Sequence, residues 1–143
     1  MSVYEDVILE NCKFPYNFFK LVFFKYRECG FNSSCGDELT VYFNLIKKNV
    51  PIQVSFYGES CSIAKAYCSL VIKYLNKSSF IVVYPKINKV GLLFKGSGGG
   101  LLFKNDSIAL VSKILKYPDR LKCGVLGFNT IDKLLQRYLL YIK

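Results

Sequence analysis

Apolar and polar side chains alternate along the stretch that decides the fold, Glu38-Leu39-Thr40-Val41-Tyr42-Phe43-Asn44-Leu45. The same alternation recurs in Ile52–Tyr57, after the polar connection Lys47–Asn49. Strict alternation indicates a strand with one buried face, because successive side chains of a strand point to opposite sides. The short connection favours an antiparallel hairpin, and we expect Gly58 to end its second strand.

Helical patterns lie on both sides of this hairpin. A short helix is predicted over Val3–Cys12, and a longer one over Ser62–Leu75, where apolar residues recur at intervals of three and four. A final helix is predicted over about Val125–Ile142. The segment Lys13–Ser34 is aromatic and irregular, so its pattern assigns no element.

The middle of the chain has the weakest pattern. The β-branched run Ile81–Tyr84 predicts a strand. The cluster Gly96–Gly100 predicts a flexible turn, which would join Val90–Lys95 to Leu101–Lys104 as a second hairpin. A further short helix is predicted over Asp106–Leu115, with the aspartate as its cap.

These patterns predict a single α+β domain that covers all 143 residues. Its centre would be a small, mainly antiparallel three-stranded sheet with helices packed on one face. The third strand is expected either from Lys13–Asn32 or from the middle of the chain. The candidate site would lie at one end of this sheet.

The composition excludes two classes of protein. A chain with 52% hydrophobic residues is not an intrinsically disordered one. No apolar stretch reaches the roughly 18 residues that a transmembrane helix needs, and the first residues are acidic where a signal peptide would be basic. We therefore expect a cytoplasmic protein that does not associate with a membrane.

The chain carries a net charge of +10, which has two interpretations. The excess lysine could simply be a solvated surface, or it could bind an acidic partner. Lysine is scattered and arginine is rare, unlike the usual nucleic-acid surface. We do not expect nucleic acid as the main partner, but a basic nucleic-acid or protein binding module with structural cysteines is kept as the alternative.

Cysteine is the most informative residue type, because the chain has six cysteines and no histidine. A metal site would have to use Cys, Asp or Glu, and cytosolic cysteines are more often thiols or ligands than disulfides. Cys35 precedes the first hairpin strand, Cys61 lies between strand and helix, and Cys123 lies at the start of the last helix. Asp37 could supply an oxygen as fourth ligand.

Cysteine spacing alone is a weak signal, since it contains neither a CxxC pair nor a zinc-finger interval. Buried cysteines often serve as small apolar residues. We expect that role for Cys12, Cys29 and Cys68, with a relay thiol as the alternative for Cys29.

The three boundary cysteines lie in Cys35–Glu38, Phe56–Ala66 and Tyr117–Cys123. The sequences and order of these segments resemble the three cysteine motifs of the IscU/SufU/NifU N-terminal family of iron–sulfur cluster assembly proteins. The opening Tyr4–Asn17 is similar to the start of the family, where an amphipathic helix comes first. The segment Ile81–Lys104 departs from the helical middle region of the family.

Two residues resemble the SufU branch more than the IscU branch. Lys122 stands directly before Cys123, where the IscU branch has histidine, and Arg120 stands two residues further back. Arg120 and Lys122 could be solvated surface charges, or they could be auxiliary site residues that pair with Asp37 or dock a partner.

The resemblance implies a SufE/NifU-like fold and a role in iron–sulfur cluster assembly. It implies that Cys35, Asp37, Cys61 and Cys123 hold zinc, or iron during assembly of a transient [2Fe–2S] cluster. Cys35 would accept sulfur from a cysteine desulfurase of the SufS or IscS kind, and acceptor proteins would take the cluster. The chain would be either a zinc-dependent, sulfurtransferase-like sulfur carrier or a cluster scaffold.

Overall fold

The computed structural model describes residues 3–44, 51–96 and 107–139 of the chain. Several predicted features lie wholly or partly outside these residues. They are the strand end Leu45, the connection Lys47–Asn49, residues 97–100 of the turn, the strand Leu101–Lys104, the cap Asp106 and the helix end Ile142. The single-domain organisation of the whole chain stays a prediction.

The sheet has three antiparallel strands in the order β1-β2-β3. They are β1 (Tyr26–Asn32), β2 (Asp37–Asn44) and β3 (Gln53–Glu59). The predicted α+β class, the three-stranded sheet and the hairpin of β2 with β3 are confirmed, and the third strand comes from the aromatic segment before the hairpin. The predicted end of β3 at Gly58 is wrong by one residue, because the ladder continues to Glu59.

The register places one face of the hairpin in the core. Val41 pairs with Phe56 and Phe43 pairs with Val54, and all four side chains are buried. Burying side chains of this size contributes about 1.5–3 kcal/mol each. The alternation in the sequence therefore sets which face of the sheet meets the helices.

The described residues form four α-helices: α1 (Val3–Lys13), α2 (Ser62–Leu75), α3 (Phe80–Lys95) and α4 (Leu121–Leu134). The first two agree with the predictions. Shorter helical segments connect or extend them: a 3₁₀-helix at Ser107–Lys116, a 3₁₀ turn at Pro118–Arg120 and a π-helical turn at Leu135–Leu139.

The predicted strands Ile81–Tyr84 and Val90–Lys95 are wrong, because both lie within α3. A buried residue recurs every three or four positions along this helix, and packing at that spacing overrides the weak strand preference of β-branched residues. The buried residues are Val83, Ile87, Val90, Leu93 and Phe94. Pro85 lies inside the helix, where it removes one backbone hydrogen bond but does not end the helix. Gly96, the first residue of the predicted turn, is the left-handed C-cap of α3.

The predicted start of the last helix at Val125 is also wrong. Helix α4 begins at Leu121, directly after the 3₁₀ turn that Pro118 opens. Proline suits the first turn of a helix, because its fixed backbone angle matches and its missing N–H would have no partner there. Cys123 consequently lies inside the first turn of α4 rather than before it.

Aromatic residues before β1 cover part of the other face of the sheet. The Phe18 ring stacks on Tyr57 with a centroid distance of 4.9 Å, and Phe24 meets Tyr42 edge-on at 5.1 Å. This arrangement leaves one face of the sheet for the helices, as predicted. None of the helices in the described ranges has the length and apolar character needed to cross a bilayer.

Helix α4 packs against α2 at a glycine. A Cβ atom on Gly127 would lie 2.7 Å from both Cβ and Sγ of Cys68, which is far closer than atoms can approach. Because Cys68 is fully buried in α2, it cannot turn away. The absence of a side chain at residue 127 therefore sets how closely α4 approaches α2.

We expect Gly127→Ala to lower the free energy of unfolding by about 1–3 kcal/mol, because the added methyl group over-packs this contact. Urea unfolding followed by circular dichroism measures the change. Asn129→Ala, at an exposed position of the same helix, is the matched control and should change stability by no more than about 0.5 kcal/mol. Equal stabilities of the two variants would contradict the close-packing argument.

Candidate metal centre

The candidate site lies where the β1–β2 turn meets the first turns of two helices. The turn carries Cys35, and Asp37 is the first residue of β2. Cys61 is the N-cap of α2, and Cys123 lies in the first turn of α4. Elements that are distant in sequence thus bring together three of the four predicted ligand residues, Cys35, Asp37 and Cys123, and place the fourth, Cys61, beside them.

The turn separates an exposed thiol from a buried carboxylate. It begins after Asn32 and is closed by the backbone N–H of Cys35, which donates to the Asn32 carbonyl at 3.3 Å. Gly36 has φ of +69°, in the left-handed region where glycine is favoured. Cys35 is exposed on this turn, whereas Asp37 is only 2% exposed.

Three donor atoms form a compact group. The Sγ atoms of Cys35 and Cys123 and a carboxylate oxygen of Asp37 all lie within 4.8 Å of one another. The two sulfur atoms are 3.2 Å apart. A spacing of this order suits ligands that converge on one ion or cluster.

Cys61 lies beside this group rather than inside it. Its backbone N–H donates to Asp37 Oδ1 at 2.7 Å, and its Sγ lies 3.8 Å from Asp37 Oδ2. The same sulfur caps α2 by accepting from the Ala64 N–H at 3.5 Å. The partial positive charge of the helix N-terminus therefore faces both the thiol and the Asp37 carboxylate.

Burial raises the pKa of the Cys123 thiol well above its usual range, and the neighbouring Cys35, Cys61 and Asp37 side chains raise it further. The physical cause is desolvation, which disfavours the charged thiolate. Without a metal, burial therefore favours the protonated form of the Cys123 thiol. A metal ion that binds here must displace its proton.

The chemistry of this donor set fits zinc or iron. Three thiols and one carboxylate give four ligands, the number that a tetrahedral zinc site takes. Sulfur ligands also select zinc and iron–sulfur clusters over hard ions such as magnesium. Cys35, Asp37, Cys61 and Cys123 are the residues that would hold the metal.

The predicted auxiliary residues lie near the site without pairing to it. The Arg120 guanidinium sits over the Tyr117 ring at 5.4 Å and lines a cleft of about 270 Å³ with Ile63 of α2. Lys122 is exposed. Among the ion pairs of residues 3–44, 51–96 and 107–139, none joins either cation to Asp37.

The other three cysteines lie in different environments. Cys68 is fully buried in α2, and burial raises the pKa of its thiol, so it is unreactive and fills space. Cys12 is half-buried in α1. Cys29 is exposed on β1, with its Sγ 3.3 Å from Thr40 Oγ1, so the predicted role as a buried apolar residue is wrong for this cysteine.

Asn32 is a site residue that the sequence did not reveal. It is only 8% exposed, and its Nδ2 donates to Asp37 Oδ2 at 3.1 Å and to Cys123 Sγ at 3.4 Å. A signal existed in principle, since Asn32 and Asp37 are the pair that flanks the turn between β1 and β2. It could not be read because the irregular pattern before Cys35 assigned no strand there.

No protein-family profile matches the chain. A curated relative is the iron–sulfur cluster assembly scaffold protein IscU of Thermotoga maritima, which is 29% identical over 110 residues, 77% of this chain and 76% of the relative. The chain is therefore similar to IscU over about three quarters of its length. The family resemblance carried by the three cysteine motifs is confirmed.

Solved structures share the fold. One is a SufU from Fervidobacterium islandicum, with a TM-score of 0.76 and 24% identity, covering 94% of this chain and 96% of that one. Another is the N-terminal part of a NifU-like protein from Brucella abortus, with a TM-score of 0.74 and 14% identity, covering 96% and 95%. At these identities the likeness establishes the NifU-like fold.

The rate of thiol alkylation should distinguish the exposed cysteines from the buried ones. In metal-free protein we expect rapid modification of Cys29 and Cys35, which are exposed, and slow modification of Cys68 and Cys123, which are buried. Adding Zn²⁺ should slow modification of Cys35, because a coordinated sulfur is a poorer nucleophile. Peptide mass spectrometry after pulses of N-ethylmaleimide measures each rate.

Cys29 is the internal control for this experiment, because it is also exposed but lies outside the Cys35, Asp37 and Cys123 group. Its rate should not change with Zn²⁺. Equal protection of Cys29 and Cys35 would indicate a general effect of zinc and would contradict a site at Cys35.

Proposed function

We propose that this protein assembles iron–sulfur clusters, as a scaffold that holds the nascent cluster as its cargo. The observation that carries the proposal is the convergence of the Cys35, Asp37 and Cys123 donor atoms, with Cys61 alongside. The similarity to IscU supports it, since the relative bears the name of a cluster assembly scaffold. A partly buried set of sulfur and oxygen donors suits temporary binding of iron and sulfide.

We propose Cys35 as the sulfur acceptor, because its thiol is the exposed member of the group. The Cys35 thiolate attacks the terminal sulfur of a persulfide on the donor protein. A sulfur–sulfur bond forms at Cys35 and the donor's sulfur–sulfur bond breaks, so the electron pair leaves on the donor thiolate, which takes up the proton that Cys35 lost. No net oxidation or reduction occurs.

The same residues would serve a zinc-dependent transfer role. Zinc held by Cys35, Asp37, Cys61 and Cys123 would keep these thiols deprotonated and ready for exchange. The lysine before Cys123 favours this role by its likeness to the SufU branch. A scaffold and a zinc-dependent carrier differ in the metal and sulfide content of the purified protein, and measuring that content distinguishes the two roles.

The partners that this function requires are a cysteine desulfurase of the SufS or IscS kind and iron–sulfur acceptor proteins. Arg120 and Lys122 are exposed beside the site and could dock an acidic surface of the desulfurase. We propose a cytoplasmic location, supported by six free thiols, which a reducing compartment maintains.

Metal and acid-labile sulfide content should be measured on protein purified anaerobically without a metal-chelating tag. Iron together with sulfide is expected of a scaffold, and about one zinc per chain without sulfide is expected of the SufU-like carrier. Protein that neither retains nor takes up either metal would refute the proposed site.

The acceptor role of Cys35 predicts a specific loss. Cys35→Ser should abolish persulfide transfer from a cysteine desulfurase, whereas Cys29→Ser should transfer at the wild-type rate, because Cys29 lies outside the ligand group. Mass spectrometry detects the persulfide as one added sulfur atom per chain. Transfer by the Cys35 variant at the wild-type rate would assign the acceptor role to another thiol.

One observation favours the second candidate function, a basic binding module. Cations lie over aromatic rings on the face of the sheet opposite the helices: Lys20 is 5.2 Å from the Tyr57 ring and Arg27 is 5.6 Å from the Phe24 ring. Cations and exposed rings together can bind single-stranded nucleic acid. Anisotropy with a labelled oligonucleotide tests this function, which requires affinity that falls steeply with salt and survives Cys35→Ser.

A further inference from the structure

One residue outside the predicted ligand set contacts three of the four ligand residues. The Asn32 side-chain amide donates to Asp37 Oδ2 and to Cys123 Sγ, and its backbone carbonyl accepts from the Cys35 N–H. We propose that Asn32 is a positioning residue. Its side chain holds Asp37 and Cys123 in fixed orientations and leaves the Cys35 thiol free to exchange. This inference rests on the proposed metal site.

The donors of Asn32 match the acceptors around it. A primary amide carries two N–H groups, and here each has its own acceptor, one on Asp37 and one on Cys123. Asn32 as a residue is only 8% exposed, so water competes little for these bonds. Hydrogen bonds in such an environment are stronger than at the surface.

The carboxylate of Asp37 is held from two sides. Cys61 N–H donates to Oδ1 at 2.7 Å, and Asn32 donates to Oδ2 at 3.1 Å. Donors on both oxygens restrict rotation of the carboxylate. Hydrogen bonds of this kind orient metal ligands before the metal arrives.

Cys35 is held differently. Asn32 fixes its backbone through the 3.3 Å bond to the carbonyl, while its thiol stays exposed on the turn. Rotation about the side-chain bond of Cys35 therefore leaves the contacts of Asn32 with Asp37 and Cys123 intact. The site thus has a rigid buried part and one thiol that can leave to receive sulfur.

A purely structural role does not require the amide. Asn32 is paired with Asp37 in the strand ladder, so its place in the hairpin is already set by the backbone. A leucine of similar shape would keep the ladder. What leucine would remove are the two bonds to the ligand residues.

The test is Asn32→Leu, measured for Zn²⁺ affinity by competition with a chromophoric chelator. Loss of a hydrogen bond from an outer-shell residue typically weakens metal binding about 10- to 100-fold, and we expect a loss in this range. With Co²⁺ as probe, the sulfur-to-cobalt charge-transfer band should shift, because Cys123 sulfur has lost its donor. Asn32→Ser, which keeps one donor, should lose less affinity.

Asn76→Leu is the matched control. Asn76 also donates from its side chain, to Tyr16 Oη at 2.9 Å, but it caps the end of α2 opposite Cys61, about 20 Å away along the helix. This variant should bind Zn²⁺ as the wild type does. Thermal unfolding of the metal-free proteins checks that each variant is folded before its Zn²⁺ affinity is compared with that of the wild type.

Wild-type Zn²⁺ affinity and an unshifted cobalt band in folded Asn32→Leu would overturn the inference while leaving the proposed function intact. If Asn32→Leu does not fold, Asn32→Ser takes its place in the test. Wild-type Zn²⁺ affinity in folded Asn32→Ser would then also overturn the inference. A wild-type protein that binds neither Zn²⁺ nor Co²⁺ would refute the proposed function itself, and the inference with it.

Discussion

The buried carboxylate of Asp37 is the constraint on which the rest of the structure depends. Burying a charge is costly unless hydrogen bonds replace the lost water. The two donors that do so come from different elements, the N-terminus of α2 at Cys61 and the end of β1 at Asn32. A single carboxylate therefore fixes a helix against the turn end of the β1–β2 hairpin.

Helix α4 completes the site because it can approach closely. Gly127 lies against Cys68 of α2, and this contact helps to place the first turn of α4, with Cys123, over the end of the hairpin. The resulting burial favours the protonated form of the Cys123 thiol, while the turn leaves Cys35 at the surface. One buried thiol and one accessible thiol would suit the proposed acceptance of sulfur at Cys35.

The elements that the sequence predicted well are those in which one periodicity dominates. Helix α2 has the predicted boundaries, and the strands of the hairpin lie within one or two residues of theirs. In α3 two signals conflicted, since Ile81–Tyr84 is β-branched and Pro85 follows it. Local preference favoured a strand, but a helix buries Val83 and Ile87 together, and that burial prevailed.

The sequence by itself limited the candidate ligands to thiols and carboxylates, because the chain has no histidine, and it placed them at the boundaries of strands and helices. It also determined the core face of the hairpin. Tertiary structure alone decided that Asn32 reaches both Asp37 and Cys123, that Cys61 lies beside the group, and which thiol is exposed. The physical reason is that burial and hydrogen bonding arise between residues far apart in the chain, and no local pattern encodes those distances.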